Sequence, residues 1–325
     1  MIKSISKNIK KEKISLFIYP TYHCLGNCLF CYLDTNAKLD RKELMLSDIK
    51  ENIVLLEKKY SIDDVVVMGG EPLLWNEINS FLEFMSSDFF KSEQAGLIIS
   101  TEALQYSSPK LANYFKEISF RRKPHFRLQV PINHFRTDKK VIKQRKEAII
   151  NLAQRKIPVR YILFFCNDKS KSIEDTTDFL KNIYLNYYKD SKSSFFIELR
   201  VPFNFYFPIF ASPWKQFGES FLNVSNVIID NNIPLLLRNI PFCYLNRKEL
   251  SFFLKFNFRK RRALKYVKIN KKGLLKFPIK IEPYDTNRHG LSLECVECAL
   301  KNRCNGIDPI YIKNFNYQGL KPFKY

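Results

Sequence analysis

The stretch that decides the fold is ISLFIYPTYHCLGNCLFC, residues 14–31. Its first part, 14–20, is rich in β-branched and aromatic residues, as in a β-strand. Three cysteines then follow on a short segment: Cys24, Cys28 and Cys31. Because they come directly after a strand, we expect them on a loop at its carboxyl end, the edge where parallel α/β folds place their active sites.

Strand-like and helical segments alternate along the chain beyond this stretch. The strand-like runs are 14–20, 64–68, 96–101, 125–132, 158–166 and 195–201. The amphipathic helical segments between them are 43–59, 74–89, 108–119, 139–155 and 171–187. Strands joined by helical crossovers lie parallel, with right-handed connections. We therefore predict an α/β fold with a parallel sheet, either open or curled into part of a barrel.

The pattern changes after about residue 204. Residues 203–214, FNFYFPIFASPW, are aromatic and interrupted by prolines, and a helix at 215–231 and a strand at 234–238 follow. The sequence therefore predicts three parts. They are a basic leader (1–13), an α/β core (14–205) and a smaller C-terminal domain (206–325) that contains four cysteines.

The chain is strongly basic. Its 325 residues include 54 Lys and Arg against 32 Asp and Glu, a net charge of +22. Such a charge favours acidic partners, although a solvated lysine-rich surface needs none. No apolar run reaches the roughly 18–20 residues that cross a bilayer, and no small-residue cleavage site follows the first strand. The sequence therefore predicts a cytoplasmic protein with no membrane partner.

The N-terminal cysteines suit a metal cluster with an open position. Cys24, Cys28 and Cys31 form a C-x3-C-x2-C motif, and three thiolates can bind three irons of a [4Fe–4S] cluster. The fourth iron then remains available to another ligand. Zinc is the alternative, and structural zinc sites have four protein ligands. His23 could supply the fourth ligand, but because it directly precedes Cys24 we expect it to pack or to face solvent.

A second motif, Gly69-Gly70-Glu71-Pro72, follows the strand-like run 64–68. Glycines let the backbone approach a ligand closely, and the carboxylate beside them suits an ammonium group. Because both motifs follow parallel strands, they are expected at the same edge of the sheet.

Together the two motifs resemble those of the radical S-adenosylmethionine (radical SAM) enzymes. The likeness includes the aromatic residue Phe30 within the cysteine motif and the six-fold β/α alternation, and it covers residues 14–201. It implies a partial (β/α)6 TIM-like barrel with parallel strands. It also implies that the three cysteines hold a [4Fe–4S] cluster that binds SAM. Reductive cleavage of SAM would then give a 5′-deoxyadenosyl radical that abstracts hydrogen from a substrate.

The same resemblance implies which residues contact SAM. Phe30 would lie near the adenine, and residues 69–72 would surround the methionine amine. Family members often have Thr-Thr-Asn-Gly after the third strand, where Glu102 departs from the pattern, and Ser-Leu-Asp after the fourth. The candidate contacts at these two strand ends are Ser100, Thr101, Asn133 and Arg136.

Four cysteines near the C-terminus indicate a second metal centre. Cys295 and Cys298 form a C-x2-C motif, Cys304 follows, and Cys243 lies just beyond the strand-like run 234–238. Four thiolates complete either a zinc site or a fully ligated [4Fe–4S] cluster. The C-x2-C-x5-C spacing resembles the start of the SPASM and twitch extensions of radical SAM enzymes. That likeness implies one auxiliary [4Fe–4S] cluster, with zinc as the alternative.

The motifs leave the substrate open. We expect a radical SAM oxidoreductase or maturase that modifies a peptide, since extensions with auxiliary clusters are common among peptide maturases. A small molecule or nucleotide in cofactor biosynthesis is the alternative, and a non-catalytic iron–sulfur or zinc protein that binds RNA is a third hypothesis. An electron donor such as flavodoxin or ferredoxin would reduce the cluster. The basic segment 256–280 is expected to be a solvated face, and as a binding site it suits an acidic peptide better than nucleic acid.

Overall fold

Among the described residues, nine strands form one sheet. In chain order they are β1 (Glu12–Ile18), β2 (Tyr60–Val67), β3 (Gly96–Ser100), β4 (Phe126–Ile132), β5 (Val159–Phe164), β6 (Phe195–Arg200), β7 (Leu235–Arg238), β8 (Lys265–Ile269) and β9 (Glu282–Pro283). Their order in the sheet is β7-β6-β5-β4-β3-β2-β1-β8-β9. Every neighbouring pair is parallel except β8 and β9.

The structure is a computed structural model of the chain. It describes residues 11–24, 31, 39–87, 95–121, 126–132, 139–165, 170–200, 214–238, 240–256, 265–269, 282–283, 295–300 and 304.

Helices occupy the connections between the strands. They are α1 (Leu46–Lys59), α2 (Ile78–Ser86), α3 (Pro109–Arg121), α4 (Lys139–Gln154), α5 (Ser170–Ile183), α6 (Trp214–Asp230) and α7 (Arg247–Phe256). A π-helical turn, Tyr184–Tyr188, follows α5. Because β1 to β7 keep their chain order in the sheet, right-handed crossovers bring all their helices to the same face. In the described part of the chain, no helix is long and apolar enough to span a membrane.

The core lies between these helices and one face of the sheet. The Phe115 ring of α3 stands edge-on to Tyr106, with ring centroids 4.8 Å apart, and its centroid is 6.0 Å from that of Phe126 on β4. Tyr188 packs on Phe195 of β6 at 5.0 Å. Side chains alternate along a strand. The residues next to Phe126 and Phe195 therefore lie on the opposite face, which we call the inner face.

The predicted α/β class and parallel sheet are confirmed. All six predicted strands are present, with ends that shift by a few residues. Two more parallel strands extend the sheet, since β7 pairs with β6 and β8 pairs with β1. The described sheet is open, with β7 and β9 at its two edges. It continues past residue 205, and the division into 1–13, 14–205 and 206–325 stays a prediction.

We predict that Phe115→Ala lowers the free energy of unfolding by about 3–5 kcal/mol, because it leaves a cavity in a fully buried aromatic cluster. The measurement is urea unfolding followed by circular dichroism.

The matched control is Phe120→Ala on the same helix, where the side chain is 68% exposed. Its free energy of unfolding should stay within about 0.5 kcal/mol of the parent value. Equal losses in the two variants would contradict this assignment of the buried helix face.

Candidate active site

The turn after β2 fastens the segment that leads to Cys24. The backbone N–H of Gly70 donates to the Thr21 carbonyl oxygen at 2.9 Å, and that of Glu71 donates to the His23 oxygen at 2.8 Å. These two hydrogen bonds hold residues 21–23 against the GGEP motif. The motif therefore sets the position and direction of the chain where the cysteine loop begins.

Both glycines are required for this close approach of two backbone segments. Gly69 has φ of +138°, a conformation that other L residues rarely adopt, and an added Cβ would lie 2.5 Å from the Thr21 carbonyl oxygen. A Cβ on Gly70 would overlap the carbonyl oxygens of Tyr22 and His23. The sequence predicted that the backbone approaches a ligand closely at these glycines. In the structure, the group that lies close to them is the backbone of residues 21–23.

The Glu71 carboxylate joins the ends of β2 and β3. Its Oε1 accepts hydrogen bonds from the Thr101 hydroxyl at 2.6 Å and the Leu73 N–H at 3.1 Å, and its Oε2 accepts from the Glu102 N–H at 2.8 Å. Burial raises the pKa of Glu71 to about 7, although these hydrogen bonds favour the ionised form and lower it. Its use as an ammonium receptor for SAM stays a prediction.

Glu102, the residue that departs from the family's usual turn, pairs with Arg145 of α4. The Arg145 Nη2 lies 3.5 Å from the Glu102 Oε2, and neither side chain is more than 10% exposed. Loss of either partner would leave a buried charge, which is costly. The pair thus ties α4 to the turn that holds Glu71. Sequence reasoning identified Glu102 only as a mismatch, because its partner lies on a distant helix.

The predicted SAM-site residues are described in part. Cys24 and Cys31 are half-buried, and Cys24 directly follows the fastened segment. Ser100 and Thr101 lie at the carboxyl end of β3, and Pro72 begins a short 3-10 turn beside Glu71. The remaining predicted residues, which lie outside the described part of the chain, are Cys28, Phe30, Asn133 and Arg136.

The C-terminal cysteines lie in three short hydrogen-bonded segments. Cys243 is in the 3-10 turn Phe242–Tyr244 that follows β7. The Cys298 N–H donates to the Cys295 carbonyl at 3.1 Å, and the Cys304 N–H donates to that of Leu300 at 2.9 Å. Within the described residues, no group of three or more Cys, His, Asp or Glu side chains is placed to hold a metal ion. The auxiliary centre therefore stays a prediction.

A family model described as the radical SAM superfamily matches residues 18–180, half of the chain. The chain belongs to the radical SAM superfamily. The resemblance to radical SAM enzymes is confirmed, whereas the SPASM or twitch-like extension stays a prediction. The chain is an enzyme of a superfamily that uses a [4Fe–4S] cluster and SAM.

Solved structures of radical SAM enzymes share the fold. SuiB of Streptococcus suis bound to S-adenosylmethionine gives a TM-score of 0.61 at 13% identity, over 97% of this chain and 77% of SuiB. SuiB bound to the precursor peptide SuiA gives 0.60 at 12% identity, over 97% and 75%. The enzyme anSMEcpe with bound AdoMet and Cp18Cys peptide gives 0.56 at 13%, over 90% and 88%. At such identities the likeness shows the fold alone.

One curated relative shares a shorter region. It is a protein of Methanocaldococcus jannaschii that is named provisionally as a glycyl-radical enzyme activating enzyme. The two are 27% identical over 79 residues, which are 24% of this chain and 29% of the relative. The chain therefore matches less than a third of that relative's length.

We predict that Gly70→Ala lowers the iron content of the reconstituted chain, because the new Cβ displaces residues 22–23 and with them the cysteine loop. Iron and acid-labile sulfide are measured after anaerobic reconstitution. The reference is the variant that lacks all three N-terminal thiols, Cys24→Ala/Cys28→Ala/Cys31→Ala. Gly70→Ala should approach the iron content of that variant, and wild-type iron in Gly70→Ala would contradict the role of the turn.

Glu71→Gln should change the pH dependence of stability. Between about pH 4.5 and pH 7 the folded chain holds a proton on Glu71 that the unfolded chain has released, so its free energy of unfolding falls as the pH rises. Gln cannot titrate, and the variant should lack this decrease. Urea unfolding from pH 5 to pH 8 measures it, and parallel pH profiles for wild type and variant would contradict the raised pKa.

Proposed function

We propose that this chain is a radical SAM enzyme that modifies a peptide. The observation that carries the proposal is the cysteine motif at the carboxyl edge of a parallel sheet, fastened there by the GGEP turn. Cys24, Cys28 and Cys31 would hold the [4Fe–4S] cluster, and thiolates are the ligands that such clusters require. When bound and reduced by a donor such as flavodoxin or ferredoxin, the cluster would supply one electron that cleaves SAM to a 5′-deoxyadenosyl radical.

The chain's own residues position the reactants. The turn at Gly69 and Gly70 fixes where the cysteine loop starts, and Thr101 holds the Glu71 carboxylate in place through a 2.6 Å hydrogen bond. The remainder of the SAM contacts would come from Phe30, Pro72, Ser100, Asn133 and Arg136. The substrate would lie against the inner face of the sheet, and the radical would abstract one hydrogen atom from it.

Two properties support a peptide substrate. The SuiB and anSMEcpe structures that share this fold hold a precursor peptide and a Cp18Cys peptide, respectively. The net charge of +22 also favours an acidic partner.

For the C-terminal domain we propose one auxiliary [4Fe–4S] cluster at Cys243, Cys295, Cys298 and Cys304, with zinc as the alternative. A cytoplasmic location, where thiols stay reduced, suits both sets of cysteines.

The test is the formation of 5′-deoxyadenosine by the anaerobically reconstituted chain with dithionite and SAM, measured by mass spectrometry. We expect the wild type to form it and the Cys24→Ala/Cys28→Ala/Cys31→Ala variant to form none. A short acidic peptide encoded beside the gene should raise the rate of 5′-deoxyadenosine formation, and the mass of the peptide itself should change. Stimulation by a small molecule alone would contradict the peptide assignment, and equal product from the triple variant would contradict the cysteine assignment.

A further inference from the structure

Four arginines lie together on the inner face of β4 to β7. Arg127 directly follows Phe126, which lies on the helix side of β4. Arg160 directly precedes Tyr161, and the Tyr161 ring packs on Phe195 at 5.5 Å, also on the helix side. Arg200 on β6 alternates with the buried Leu199 and is paired in register with Arg238 on β7. Side-chain alternation therefore places all four guanidiniums on the inner face, opposite the face on which Phe126 and Phe195 pack.

Glu198 lies among these arginines and binds two of them. Its Oε2 is 3.1 Å from the Arg160 Nη1, and its Oε1 accepts hydrogen bonds from the Nε (2.6 Å) and Nη2 of Arg200. Burial alone would raise the pKa of Glu198, but Arg200, Arg238 and Arg160 outweigh it and lower the pKa to about 2. Glu198 is therefore ionised and neutralises one of the four positive charges.

The cluster keeps an excess of positive charge. Among the described residues, four guanidiniums lie against two carboxylates, that of Glu198 and that of Asp64, which is the acidic group that acts most strongly on Arg127, and this leaves +2. Burial lowers the pKa of Arg160 and of Arg200 to about 10, so both remain charged at neutral pH. A partly buried group of like charges is unfavourable without a counter-ion.

Two of these guanidiniums have donors to spare. The buried Nε atoms of Arg127 and Arg160 have no hydrogen-bond partner within the described residues, although the charges of Asp64 and Glu198 act on Arg127. A buried donor without an acceptor costs free energy. A guanidinium fork matches the oxygens of a carboxylate or a phosphate, so an anion would satisfy these donors and offset the excess charge.

The position of the cluster suits a substrate. The cysteine loop, the GGEP turn and Thr101 follow β1, β2 and β3, whereas the arginines lie on β4 to β7 of the same sheet. Arg200 and Arg238 are the last residues of their strands, at the carboxyl edge where the two motifs also lie. Arg127 and Arg160 are the second residues of β4 and β5 and therefore lie deeper, toward the amino edge. A molecule that extends along the inner face from the carboxyl edge can contact the arginines and also face the proposed SAM site.

We propose that Arg127, Arg160, Arg200 and Arg238 bind an anionic group of the substrate, a carboxylate or a phosphate. The inference rests on the proposed function, because it takes the inner face as the substrate site. For a peptide, the group would be an acidic side chain or the terminal carboxylate.

The test is calorimetric titration of the reconstituted full chain with three probes: N-acetylglutamate α-amide, its glutamine analogue and inorganic phosphate. We expect at least one of the two anions to bind and the glutamine analogue not to bind. Arg127→Ala should lower the affinity for the anion by about tenfold or more, as expected when a hydrogen bond to a charged group is lost. The tighter anion identifies the source, a carboxylate for a peptide or a phosphate for a phosphorylated small molecule.

The matched control is Arg121→Ala, which removes the same charge from the surface of α3, where Arg121 pairs with Glu83 at 2.7 Å. Its affinity for the anion should stay within about twofold of wild type, since surface charges contribute little. Equal weakening in the two variants would overturn the inference and assign binding to the general positive field. Failure of both anions to bind would also overturn it.

Two further measurements separate this inference from the proposed function. Saturating SAM should leave anion binding to the wild type within about twofold, since the proposed SAM contacts follow the carboxyl ends of β1 to β4, whereas Arg127 is near the amino end of β4 and the other three arginines lie on β5 to β7. Loss of anion binding on SAM addition would overturn the inference by placing the arginines in the SAM site. Absence of 5′-deoxyadenosine from a wild type that still binds the anion would instead contradict the proposed function alone.

Discussion

The close contact between the GGEP turn and residues 21–23 is the constraint on which the site depends. Two backbone hydrogen bonds cross it, and they form only because Gly69 and Gly70 have no Cβ. The contact joins the carboxyl ends of two neighbouring parallel strands, β1 and β2. Because β1 and β2 pair in a fixed register, this contact also fixes the position at which the cysteine loop begins. The buried Glu71 extends the same connection to β3 through Thr101.

The sheet divides the site into two halves with different chemistry. The turns after β1 to β3 hold the motifs of the superfamily and are stabilised by backbone contacts and by the buried carboxylates of Glu71 and Glu102. Strands β4 to β7 instead present guanidiniums on the inner face, balanced in part by Glu198. We propose that the first half binds the cofactor of the superfamily and that the second half binds an anionic group of the substrate.

The sequence predicted the six strands from 14 to 201 because apolar periodicity and crossover spacing are local signals. It did not predict that β7 and β8 join the same sheet, since pairing between distant segments leaves no local pattern, and β8 lies within a basic stretch. The Glu102–Arg145 pair was missed for the same reason. The arginine cluster does have a local signal in the sequence, because Arg127, Arg160 and Arg200 are charged residues within largely apolar strand-like runs.

Electron paramagnetic resonance of the reduced, anaerobically reconstituted chain tests the central claim most directly. The claim is that the loop fastened by the GGEP turn holds a cluster with an open iron for SAM. We predict that the wild type gives a reduced [4Fe–4S] signal that changes when SAM is added, and that the change is absent from the Cys24→Ala/Cys28→Ala/Cys31→Ala variant. A signal unaffected by SAM, or a SAM-dependent change that persists without these three thiols, would contradict it.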